Sequence, residues 1–129
     1  MWRPVEVGSV VAVRHLSFKP PRGRRRDVLV SIGQPVQKPG TKSREPWWCP
    51  FEISGLGKPK VFSAAGEDSV QALVLALRAI EAALLARAKD AGGTIEWLGE
   101  LERPVFAHTF FVEAYEAAHR RDLSNQPGV

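Results

Sequence analysis

The stretch Asp68–Gly93, D-S-V-Q-A-L-V-L-A-L-R-A-I-E-A-A-L-L-A-R-A-K-D-A-G-G, decides the fold. Val70, Leu73, Val74, Leu77, Ile80, Leu84 and Ala88 recur at three- and four-residue spacing, the signature of one buried helical face. Asp68 suits the N-cap, and Gln71 three residues on completes a capping-box-like pair. Glu67 and Asp68 place negative charge at the positive end of the helix dipole. Gly92-Gly93 ends the element, because glycine enters the left-handed turn past a helix end without steric cost. Leu75 and Leu85 widen the stripe. That leaves more apolar surface than a thin sheet covers, with Arg78, Glu81 and Arg87 expected at the wet edge.

Upstream, the pattern changes from helical to alternating. Ser9–Phe18 and Asp27–Ile32 read as two strands, separated by Lys19-Pro20-Pro21-Arg22-Gly23, where proline and glycine enforce a reversal. Lys38–Pro46 reads as a loop. Trp47–Ile53 is an aromatic-rich third strand, and Pro50 inside it predicts either an edge position or a bulge. Gly55-Leu56-Gly57 is a turn before a short fourth strand at Lys60–Ala64. Thr94–Leu98 alternates and reads as a last strand. Short links favour antiparallel pairing, since parallel pairing needs long crossovers. The expected fold is therefore α+β: an antiparallel sheet of four to five strands, a β-meander, packed on one long helix. Residues 1–101 form the expected single domain. Residues 102–129 are expected as a partly helical extension, with a short helix around His108–Arg121.

A chain of 129 residues, 44% hydrophobic and 25% charged, can bury a self-sufficient core. One cysteine, Cys49, cannot make an internal disulfide, which fits a reducing compartment and a cytoplasmic expectation. Gln71, Arg78 and Glu81 interrupt the longest apolar region, so the expectation is no membrane span and no membrane partner. Charge is lopsided. Residues 1–60 carry 12 Lys/Arg against 4 Asp/Glu, and residues 61–129 carry 6 against 10. Such segregation steers association with acidic partners.

Four segments in order, V-S-I-G-Q-P (Val30–Pro35), W-C-P-F-E-I-S-G-L (Trp48–Leu56), G-E-D-S-V-Q-A-L (Gly66–Leu73) and I-E-W-L-G (Ile95–Gly99), carry a resemblance. Over about residues 12–100 the chain resembles a family of small bacterial proteins of unknown function. The resemblance implies a shared body of four strands, a helix and a strand, and implies no activity. The extension after Leu101 departs from the family.

Candidate chemistry is sparse. Cys49 lies far in sequence from His15, His108 and His119, and a lone cysteine in a strand is usually a small buried hydrophobe. Neither H-x-x-x-H nor C-x-x-C occurs, so no metal and no cofactor is expected. Two surfaces remain. Leu75, Leu85 and Val74 on the helix suit a protein partner or a homodimer. Arg22, Arg24, Arg25 and Arg26 at the first hairpin tip, with Trp47 expected nearby, suit phosphate pairing and base stacking on single-stranded nucleic acid. The leading expectation is a non-enzymatic interaction module, immunity- or antitoxin-like or an accessory regulator. A nucleic-acid-binding accessory protein is the alternative.

Overall fold

A computed structural model describes residues 1–41 and 44–97, with the backbone of 100–101. Strands β1 (Val10–Lys19), β2 (Arg26–Gly33), β3 (Trp47–Ser54) and β4 (Val61–Gly66) precede helix α1 (Ser69–Asp90). Strands β5 (Thr94–Trp97) and β6 (Glu100–Leu101) follow it. All pairings are antiparallel, in the order β4-β3-β2-β1-β5-β6. The antiparallel sheet on one long helix stands as the patterning predicted. Two details extend it. β5 does not continue the meander beside β4; it crosses to the opposite side and pairs with β1, Phe18 facing Ile95. β6 then adds a two-residue rim. The expected C-terminal helix lies outside the described residues.

The core follows the strand alternation. Leu16 and Phe18 of β1, Val28, Val30 and Ile32 of β2, and Phe51 and Ile53 of β3 point to the helix side and are buried. On β3 the opposite face is also covered: Trp48 and Pro50 are buried there. The guanidinium of Arg3 lies 5.7 Å from the Trp48 ring centroid. The N-terminal segment thus shields part of the outer face.

Pro50 explains a break in the sheet. β3 is flanked by β2 and β4, so the edge expectation fails, and the β3–β4 ladder runs in register through Pro50↔Ser63; the irregularity falls on the β2 side. The β2–β3 ladder runs from Leu29↔Ser54 to Ile32↔Phe51 and stops. Pairing resumes at Val36↔Trp48, where the β2 side has gained one residue. Proline has no N–H to donate, so the ladder skips it.

The helix is capped as its sequence dictates. Asp68 Oδ1 accepts from the Gln71 N–H at 2.7 Å, and Gln71 Oε1 accepts from the Glu67 N–H at 2.7 Å. Past the end, the N–H of Gly92 donates to Lys89 and that of Gly93 to Ala88. Gly92 sits at φ 76°, the conformation for which glycine is used there.

The helix faces the sheet differently from the sequence expectation. Its buried residues are Ala72, Ala76, Ile80, Glu81, Leu84 and Ala88. The face has rotated toward the alanines, and Leu73 and Leu77 sit half-buried on its flank. Close approach is the physical reason. A Cβ built on Gly66 would lie 2.4 Å from the backbone nitrogen of Ala72, so only small residues fit where β4 meets α1. Two wet-edge assignments are corrected with it. Glu81 is buried, and Arg87 is half-buried, donating through Nη1 to the Leu56 carbonyl at 3.0 Å.

Candidate functional site

The rotation of α1 determines which apolar residues meet solvent. Val70 is 67% exposed, Leu85 51%, Val74 42% and Leu75 36%. Ala79, Ala82 and Ala86 are exposed beside them. The result is a long outward face broken only by Gln71, Arg78 and Lys89 before the helix end. By length and composition alone α1 could cross a membrane. A helix that carries one wall of a core passes the same test, and α1 supplies Ile80 and Leu84 to this one. Val74, Leu75 and Leu85, singled out from sequence, all lie on the exposed face.

The four arginines of the hairpin tip divide into three environments. Arg22 and Arg24 are exposed. Arg25 is held by Glu96 of β5 in a two-pronged pair, Nε to Oε2 at 2.9 Å and Nη2 to Oε1 at 3.2 Å. Hydrogen bonding to Arg25 pulls the Glu96 carboxyl below its ordinary range, against the opposing effect of desolvation. Arg26 lies over Phe18, its guanidinium carbon 4.9 Å from the ring centroid.

Trp47 is not near this tip, which corrects the sequence expectation. The register sets Arg26 at the start of β2 and Trp47 beyond the far end of that strand, where Trp48 bridges Val36. Strand rise over that span separates them by roughly 30 Å. Trp47 is half-buried, faces Gly66 across the β3–β4 ladder and packs against the core.

Other cations do join the tip. The β3–β4 turn returns to the same end of the sheet, bringing Lys58 and Lys60, and α1 ends there with Arg87. Arg26, Leu56, Gly57, Lys58, Arg87, Asp90 and Ala91 line an open cleft of about 450 Å³. Phe62, 37% exposed, stacks on Phe51 at 5.9 Å. Lys60 Nζ lies 5.0 Å and the Arg87 guanidinium 5.6 Å from its ring centroid. Sequence reading missed Lys58, Lys60, Phe62 and Arg87. A meander brings alternate turns to one end of the sheet, and that was the available signal.

A second open cleft, about 580 Å³, lies at the start of α1 between Gln37, Arg44, Glu45, Gly66 and Glu67. Its two carboxylates oppose any anion that the helix start would attract. Cys49 is fully buried, with Sγ 3.6 Å from the Gly33 carbonyl. Desolvation pushes its thiol up to about 11, so almost no thiolate forms near neutrality. Among the described residues, no group of three or more His, Cys, Asp or Glu side chains is placed to hold a metal.

Comparison with known proteins adds a single match. A family model, the domain of unknown function DUF6968, aligns with residues 12–107. No curated protein and no solved structure matches the chain.

Proposed function

The chain belongs to the DUF6968 family of unknown function, and from that premise we propose that it is a non-enzymatic protein–protein interaction module working through the outer face of α1. The observation that carries this reading is the exposure of Val70, Val74, Leu75 and Leu85 on one helix. Apolar surface grouped on a small domain is characteristic of an interface.

The occupant that this face fits best is a second copy of the same chain. Glu67 and the N-cap Asp68 stand just before the helix, and Lys89 lies exposed in its last turn. Antiparallel packing about a two-fold axis near Ile80 brings Leu75 of one copy against Leu85 of the other. The same packing sets the acidic start of each helix beside the basic end of its mate and opposes the two helix dipoles. Arg78 falls opposite Ala82, whose small side chain leaves room for the guanidinium to reach the rim. Self-complementary spacing of this kind is what an isologous interface requires.

The proposal extends to setting: a bacterial cytoplasm, with a role of the immunity, antitoxin-like or accessory-regulator kind. The four sequence segments at Val30–Pro35, Trp48–Leu56, Gly66–Leu73 and Ile95–Gly99 are proposed as the family's characteristic motifs.

Light scattering coupled to size-exclusion tests the reading. A dimer is expected for the native chain, and a folded monomer for Leu75→Glu/Leu85→Glu. A native chain that remains monomeric at high concentration would overturn it.

A further inference from the structure

The basic end of the molecule is assembled from three elements that lie far apart in sequence. The β1–β2 loop supplies Arg22 and Arg24, the β3–β4 turn supplies Lys58 and Lys60, and the last turn of α1 supplies Arg87. Close contacts between the chain segments bring them together. A Cβ on Gly55 would lie 2.1 Å from the Asp27 carbonyl oxygen. One on Gly93 would lie 2.2 Å from that of Lys19, and one on Gly92 would lie 3.7 Å from Pro21. The β3–β4 turn therefore packs on the start of β2, and the residues that follow α1 pack on the end of β1, which gathers the three cation-bearing segments at one end of the sheet.

The local acids do not cancel this charge. Glu96 is engaged by Arg25. Asp90 lines the cleft with three cations, Arg26, Lys58 and Arg87, and Asp27 stands near the start of β2. Among the described residues, the face that includes Arg22, Arg24, Lys58 and Lys60 is strongly positive. Arg87 is anchored by the Leu56 carbonyl and reaches the Phe62 ring, so it is pre-positioned.

We infer that this end of the molecule binds single-stranded nucleic acid, the backbone running from the hairpin tip across the cleft to Lys60 and one base stacking on Phe62. Two features favour a nucleic acid over an acidic protein segment. The cations come from three separate elements, the β1–β2 loop, the β3–β4 turn and the end of α1, and so can pair with more than one phosphate. The Phe62 ring is 37% exposed, stacks on Phe51 and has Lys60 and Arg87 over it, so a base stacks there by taking the place of the flexible Lys60 ammonium, which turns to the phosphate. A duplex would present its stacked bases only edge-on, so Phe62 would gain nothing from it.

The surface is independent of the α1 interface, which faces away from the sheet, so the two can fail separately. The test uses fluorescence anisotropy of a fluorescein-labelled oligothymidylate with the full chain, from low to moderate sodium chloride. Binding is expected at low salt and weakens steeply as salt rises. In Arg22→Ser/Arg24→Ser/Lys58→Ser affinity falls by about tenfold or more, and the log–log salt slope flattens by about 2 for three lost phosphate contacts. Phe62→Leu lowers affinity for the oligonucleotide about tenfold while leaving competition by poly-L-glutamate unchanged. Leu85→Glu binds as the native chain does, even if it alters oligomeric state. Circular dichroism melts confirm that each variant is folded. No anisotropy change at low salt would overturn the inference, as would native affinity in the triple variant. Displacement by poly-L-glutamate as effective as by unlabelled oligothymidylate would assign the surface to acidic protein instead.

Discussion

Leu84 and Leu85 are neighbours in sequence and chemically identical, yet their environments are opposite: 0% and 51% exposed. Replacing each with alanine isolates environment from residue type. At Leu84 three carbons leave a sealed core, and at ~0.8 kcal/mol per buried methylene-sized group the transfer loss is about 2.4 kcal/mol. A residual void of roughly 50 Å³, at about 24 cal/mol per Å³, adds about 1 kcal/mol. The expected cost is therefore about 3–4 kcal/mol. At Leu85 the side chain is half in water already and solvent refills the space. The expected cost is about 1 kcal/mol in the monomer, and alanine's higher helix propensity trims it slightly. Urea unfolding followed by tryptophan fluorescence reads both, since Trp48 is buried in the folded state. If two copies pair through α1, the Leu85→Ala penalty grows with protein concentration while the Leu84→Ala penalty stays larger and has an intrinsic part. Equal penalties at every concentration would refute the assigned helix orientation.

Further outcomes follow from the charged and buried groups. Because the folded-state pKa of Glu96 is depressed, its pair with Arg25 stabilises above the unfolded carboxylate value, and that stability is lost as pH falls through the lower folded value. Thermal melts should therefore show Glu96→Gln less stable than the native chain at neutral pH, with the gap closing in acid below about pH 4. Cys49 should resist an aromatic disulfide reagent in the native state at pH 7–8 and react completely in urea, given a thiol raised to about 11. Rapid native-state labelling would contradict its burial. Gly66→Ala should destabilise markedly or shift the helix start, since its Cβ would collide with the backbone of Gln71 and Ala72. A neutral effect on the melting temperature would show that β4 and α1 do not approach so closely.

Element identity was largely legible in the sequence because each element announces itself locally. Asp68 and Gln71 mark the start of α1, and Gly92 marks its end. Alternation about Leu16 and Phe18 gives β1 its inward face. What the sequence hid was tertiary. The periodic stripe weighted leucine and valine by size, whereas the sheet admits α1 closest where Ala72 and Ala76 are small. Val70 and Val74 were thereby displaced to the surface. Arg25 looked equivalent to its neighbours until Glu96, seventy-one residues away, was brought beside it. Trp47 and the arginines seemed close because a loop joins their strands, yet strand direction puts them at opposite ends. The candidate surfaces divide in the same way. The helix residues could be read from one segment, but the basic cleft is contributed by three.

The position of β5 has a kinetic consequence. Strands β1 to β4 can zip through successive neighbours, but β5 must find β1 across most of the chain, Ser17 meeting Glu96. Loop-closure entropy opposes that encounter until α1 has docked and shortened the effective separation. A chain emerging from its N-terminus would thus hold the Ser17–Lys19 edge of β1 unpaired until β5 is made. During that interval the nascent protein presents a free β-edge beside an uncovered Phe18. Pairing of β5, held by the Arg25–Glu96 pair, covers that stretch of β1.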